Sequence, residues 1–114
     1  MAESCIFCRI IAGEIPAQFV HKDDDVVAFR DVSPRAPTHI LVIPREHIES
    51  LATLKPEQRD LAGKLLQTAA DIAKTEGIVE SGYRVAANVG PDSGSEVSHL
   101  HFHVMGGKRL GPPA

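Results

Sequence analysis

The spacing of apolar residues changes several times along the chain, and each change marks an element. Residues 5–12, CIFCRIIA, group Phe7, Ile10 and Ile11 at helical steps before Gly13 and Pro16 stop the turn, which predicts a short N-terminal helix. In FVHKDDDVVAFRDV two β-prone runs flank Asp23 and Asp24, a hairpin pattern. The segment SPRAP is a rigid bend, and residues 38–43, THILVI, form a nearly unbroken apolar run closed by Pro44, as a central strand would. Only His39 interrupts it, facing opposite to Ile40.

Beyond Pro44 the period lengthens. Ile48, Leu51 and Leu54 suggest a short helix, and Pro56 stands where the first position of a longer one would fall. Leu61, Leu65, Ala69 and Ile72, with Leu66 and Ala73 beside them, recur at steps of three and four until Gly77, which predicts a helix of about twenty residues. Residues 83–89 read as a strand, GPDSGSE as a polar loop, and residues 99–105 as a last strand. Strands, one long helix, then strands again, joined by connections short enough for antiparallel pairing, predict an α+β fold with the long helix on one face of the sheet.

At 114 residues the chain has room for one domain, residues 1–114, with a single core. A net charge of −3 gives no general pull toward nucleic acid or anionic lipid. No stretch nears the roughly 18 apolar residues of a membrane span, and the N-terminus shows no secretory signal, so a cytoplasmic protein is expected. The only two cysteines, Cys5 and Cys8, form one Cys-x-x-Cys, unlike the framework of a secreted mini-protein. Such a pair is either a redox couple or half of a zinc site, and with only four residues before Cys5 a thioredoxin-like βαβ context is missing.

The stretch HLHFHVM places three of the six histidines at alternate positions. On a strand His99, His101 and His103 would share one face, and Leu100, Phe102 and Val104 the other, toward the core. Successive imidazoles would stand roughly 7 Å apart, awkward for three ligands of one tetrahedral zinc, so different members are expected to do different work. A neutral imidazole can attack phosphorus or a carbonyl if an acceptor holds one ring nitrogen protonated and the other stays free. The small residues Gly90, Ser93, Gly94 and Ser95 just upstream allow close backbone approach to an anion.

These residues resemble the signature of the histidine triad superfamily. The resemblance extends over CIFCRIIAGEIP, FRDVSPRAPTHILVIP, His47, Asn88 and the Gly106-Gly107 after the triad, and so covers nearly the whole chain. Asp31-Val32-Ser33-Pro34 and the trailing glycines are similar to the nucleotide-binding branch of nucleoside phosphoramidases. The resemblance implies a five-stranded antiparallel sheet with one long helix and a short N-terminal helix, and a homodimer across which the sheet continues. It also implies hydrolysis of bonds between a purine nucleoside 5'-phosphate, as in AMP and GMP derivatives, and an amine or acyl group.

Carried onto this chain, the resemblance makes His101 the nucleophile of a covalent nucleotidyl intermediate, with His103 and His39 flanking it at the phosphate and His103 serving the leaving group. Asn88 and the backbone amides around Glu96 and Val97 match the phosphate cradle. Asp31 matches the acceptor for the ribose hydroxyls, while Phe7, Ile10, Phe29 and Val32 match the apolar slot for the base. Many relatives read Gly-Gln-Ser-Val or Gly-Gln-Thr-Val where this chain has Gly94-Ser95-Glu96-Val97, so a carboxylate stands in place of a hydroxyl. The resemblance also implies a structural Zn2+ on Cys5, Cys8, His47 and His99. Two other functions compete: a dinucleoside polyphosphate hydrolase, whose branch usually continues the triad with Pro-Arg instead of Gly-Gly, and a nucleotide-binding adaptor that does not turn over.

Overall fold

The computed structural model describes residues 4–94 and 97–112. Helix α1 (Ile6–Ile11) precedes strands β1 (Phe19–Lys22), β2 (Val26–Arg30) and β3 (Thr38–Pro44). Short 3-10 turns at Leu51–Thr53 and Pro56–Gln58 lead into helix α2 (Arg59–Thr75), followed by β4 (Tyr83–Ala86) and β5 (Phe102–Gly106). The five strands form one sheet in the order β1-β2-β3-β5-β4, with every neighbouring pair antiparallel.

Every residue of β3 is buried, as its unbroken apolar run requires of a strand covered on both faces. Its alternate side chains feed two separate cores. Ile40 and Val42 join Val26, Ala28, Phe102 and Val104 under the Leu65, Ala69 and Ile72 face of α2. Leu41 and Ile43 point the other way and join Val27 and Phe29 against Cys5, Phe7 and Ile10 of the α1 region. The sheet is therefore covered on both faces, not on the α2 face alone. A six-residue helix is too short for its periodicity to announce a second layer.

Four expected elements are shorter than their patterns. Helix α2 spans 17 residues because the turn with Pro56 at its head is 3-10, and Ile48, though buried, lies outside the Leu51–Thr53 turn. Strand β4 ends at Ala86 instead of continuing to Val89. Strand β5 begins only at Phe102, so His99 and His101 precede the ladder even though their neighbours still alternate into the α2 core.

Helix α2 ends where Gly77, at φ +73°, lets the Ile78 amide turn back to the Ala73 carbonyl. There the Arg30 guanidinium grips both oxygens of Glu76 at 3.0 and 2.9 Å, tying the end of β2 to the end of the helix. At the other end Lys64 bridges Asp23 and Asp25 of the β1–β2 turn. The Gly106-Gly107 pair has packing reasons: a Cβ on Gly106 would stand 2.9 Å from Ile78 Cδ1, and Gly107 adopts φ +92° beside Pro37.

Candidate functional site

Two polar clusters lie along the sheet face that carries α1, and both grow from the approach to β5. In the first, Cys5 caps α1, its Sγ accepting the Cys8 amide at 3.3 Å. One turn later Cys8 Sγ lies 3.2 Å from His47 Nδ1 and 3.5 Å from His99 Nδ1, while Cys5 Sγ is 3.3 Å from His99 Nδ1. The two Nδ1 atoms are themselves 3.2 Å apart.

The fully buried His99 ring sets Nε2 at 2.9 Å from the Pro44 carbonyl. A carbonyl can only accept, so Nε2 carries the proton and Nδ1 presents its lone pair to the cluster. A tetrahedron with bonds of about 2.0–2.3 Å has edges of roughly 3.3–3.8 Å, and four of the donor–donor distances, 3.2–3.5 Å, are close to that, with all four donors within 4.8 Å of one another. Cys5, Cys8, His47 and His99 could thus hold a metal ion, with Pro44 fixing one imidazole from behind. Among the described residues both cysteines are free thiols.

Two residues on, His101 is nearly buried, at 9% exposure. Its Nδ1 stands 2.7 Å from the His99 carbonyl and must donate to it. Nε2 is left unprotonated, the form in which an imidazole is a nucleophile. Phe7 meets this ring edge-on at 5.2 Å between centroids and the His99 ring at 5.9 Å.

The second cluster orders the remaining imidazoles. The Arg35 amide donates to His39 Nδ1 at 3.1 Å, which places the proton of a neutral His39 on Nε2. That N–H faces His103 Nδ1 at 2.9 Å, with Asp31 Oδ2 at 3.5 Å. His103 is thereby an acceptor at Nδ1 and carries its own proton on Nε2, next to the His101 ring at 5.0 Å between centroids. Burial lowers the pKa of His39, against the pull of Asp31. For His103 burial, then the His101 and His39 rings, push it down to about 4. Both are neutral at pH 7, as a directed donor chain requires.

The structure brings together most of the expected residues. Phe7, Ile10 and Phe29 share one buried cluster, Phe7 packing edge-on to Phe29 at 5.5 Å, and Val97 packs against it. Val32 is not part of it: the side chain is 94% exposed on the loop after β2. Asp31 accepts the Ser33 amide at 2.8 Å and so faces the His39–His103 pair in a fixed pose. Asn88 donates to the Ser93 carbonyl at 2.9 Å and braces the loop at residues 88–93. Glu96 lies outside the described residues. His21, on β1, pairs with Asp23 at 2.7 Å. The groups that sequence could not supply are main-chain: the carbonyls of Pro44 and His99 and the amide of Arg35 select the tautomers, and backbone groups leave no mark in a residue pattern.

A family model described as HIT domain matches residues 12–110. The chain is 48% identical over 112 residues to the purine nucleoside phosphoramidase of Escherichia coli strain K12, covering 98% of this chain and 94% of that one. It is 46% identical over 104 residues to protein HitA of Neisseria gonorrhoeae, with 91% and 96% covered. Among solved structures it is similar to a HIT family hydrolase from Clostridium thermocellum, with TM-score 0.93, 38% identity and 96% of each chain covered. A histidine triad protein from Clostridium difficile superposes with TM-score 0.92 at 44% identity, again covering 96% of each chain.

Proposed function

The chain belongs to the HIT domain family, and from that premise we propose that it hydrolyses purine nucleoside 5'-phosphoramidates and related acyl-nucleotides to the nucleoside monophosphate. The observation that carries this reading is the His101 tautomer: Nδ1–H is tied to the His99 carbonyl, and Nε2 keeps its lone pair. Nε2 attacks phosphorus, a P–N bond to His101 forms, and the bond to the leaving amine breaks. The departing amine takes its proton from water, and His103 Nε2–H, kept on that nitrogen by the Arg35–His39 donor chain, steadies the leaving group and the phosphate as a neutral hydrogen-bond donor. Water then cleaves the nucleotidyl-histidine, releasing the monophosphate and restoring the free imidazole. Two low barriers replace one high one.

Asp31 is assigned to the ribose hydroxyls, and Phe7, Ile10 and Phe29 to the wall of the base site. Val32 would reach the base from its exposed loop. Asn88, Val97 and Glu96 are assigned to the phosphate side; a carboxylate at 96 would discriminate against leaving groups that bear further phosphates. We assign zinc to Cys5, Cys8, His47 and His99, where it would supply a structural cross-link among α1, the segment after β3 and the approach to β5. Thiols kept as metal ligands suit a cytoplasmic setting. The exposed edge strand β4, with Tyr83 and Val85 each 37% open, is where a second copy would extend the sheet into a homodimer.

The test is to offer wild type and His101→Ala an adenosine phosphoramidate and a diadenosine polyphosphate, and to follow AMP release. Wild type should prefer the phosphoramidate, and the variant should lose at least about 1,000-fold in kcat. Comparable turnover by the variant would reject the nucleophile, and preference for the dinucleotide would move the chain to the other hydrolase class.

A further inference from the structure

The nucleophile lies outside the regular sheet. The ladder of β5 with β3 begins at Phe102, paired with Val42, so His101 is one residue short of any strand pairing. Its backbone is held instead from the preceding residues. The Leu100 amide donates to the Ile48 carbonyl at 2.6 Å, the His99 ring donates to the Pro44 carbonyl at 2.9 Å, and His99 Nδ1 enters the cysteine cluster. Of these, only the cluster ties the segment to α1, a six-residue helix that would not persist by itself.

We propose that the four-residue metal cluster is a positioning device for His101 as well as a staple of the fold. This rests on the zinc assignment above. The cluster acts along two paths that start from its own ligands. One is the main chain of His99, whose side chain binds the metal and whose carbonyl, 2.7 Å from His101 Nδ1, sets the nucleophile's tautomer. The other is Phe7, between the two cysteine ligands in sequence, whose ring packs edge-on against His99 and His101 together. Bound metal fixes the α1 cap, Phe7 and the His99 side chain in one frame with the carbonyl. Without metal, α1 is no longer tied to the His99 side chain, so Phe7 shifts with the helix and the His101 ring, losing its edge packing, tilts off the His99 carbonyl, which the Leu100 amide keeps pinned to Ile48. His101 then samples both tautomers, and the fraction with a free Nε2 falls. A ring misplaced by about 1 Å costs on the order of 100-fold in rate.

The test reads the ring itself. Zinc-loaded protein, protein stripped with a chelator, and a Cys8→Ser variant are compared by nitrogen-15 imidazole NMR, with zinc content measured in each sample. Loaded protein should show His101 as a single Nδ1–H tautomer. The stripped and variant proteins should show averaged nitrogen shifts for His101 while His39 and His103 keep theirs. In parallel, kcat should fall at least tenfold with KM within about twofold, the pattern of a misoriented group and not of lost binding. If stripping unfolds the chain, cadmium in place of zinc keeps it folded with longer metal–sulfur bonds, and the His101 Nδ1–H resonance should move.

An unchanged His101 signature in folded, metal-free protein, or an unmoved resonance on cadmium exchange, overturns the proposal. Failure to bind zinc at all overturns it together with the zinc assignment. Loss of kcat in the loaded His101→Ala variant alone would still stand as evidence for the nucleophile.

Discussion

Acid should unfold this protein partly through His103. In the folded chain burial and the neighbouring imidazoles push its pKa from 6.5 to about 4, whereas the unfolded chain lets it titrate at its ordinary value. As pH falls below 6.5 the unfolded state takes up the proton first, so stability is complete above that pH and drains away down to about 4. The full window is worth roughly 3 kcal/mol at 1.36 kcal/mol per unit, and at pH 5 about 2 kcal/mol of it is already gone. The perturbation is His103→Gln, which keeps an acceptor for His39 Nε2–H but cannot charge. Urea unfolding of both proteins at pH 7.5 and pH 5 gives four stabilities. Groups common to both proteins, the Cys5–Cys8–His47–His99 cluster included, cancel in the difference of differences. Wild type should lose about 2 kcal/mol more than the variant between the two pH values. Equal losses would mean that His103 is not held neutral by burial, and the donor chain from Arg35 through His39 would fall with it.

The packing and binding assignments make their own demands. Leu65 is fully buried beneath the sheet, so Leu65→Ala should cost about 2–5 kcal/mol in urea unfolding while KM stays within twofold. Gly106→Ala drives a methyl against Ile78 Cδ1 at 2.9 Å and the Gly82 carbonyl at 3.3 Å, and should lower the thermal midpoint by several degrees. Asp31→Asn, which keeps the shape but weakens an acceptor for ribose hydroxyls, should raise KM about tenfold or more for a nucleoside phosphoramidate. The same change should leave a substrate lacking both hydroxyls almost unaffected.

Much of this architecture was legible in the residue pattern because burial on two faces and on one face write differently. The unbroken run THILVI announced β3, and the steps Leu61, Leu65, Ala69 and Ile72 announced α2. The alternation in HLHFHVM correctly sent Leu100, Phe102 and Val104 into one core, yet it overstated the strand, because side chains keep alternating where the ladder bonds have not begun. Val32, which the resemblance alone put in the base slot, stands exposed on a polar loop apart from the buried Phe7–Ile10–Phe29 cluster. The second core under α1 was hidden by the shortness of that helix. Cys5, Cys8, His47 and His99 are 94 residues apart at their extremes, so no local spacing could join them; only a resemblance did, and the fold then brought their donor atoms within 4.8 Å of one another. Tautomers were beyond reach altogether, since the carbonyls of Pro44 and His99 belong to the backbone.

The measurement that bears most directly on the account is chemical trapping of the intermediate. Mixing enzyme with a purine nucleoside phosphoramidate, quenching within the first turnover in mild base where a phosphorus–imidazole bond survives, and mapping the adduct by mass spectrometry should place one nucleotidyl group on His101. Steady turnover with the nucleotidyl group on another residue, or with no adduct in any quenched sample while His101→Ala still releases AMP, would contradict it.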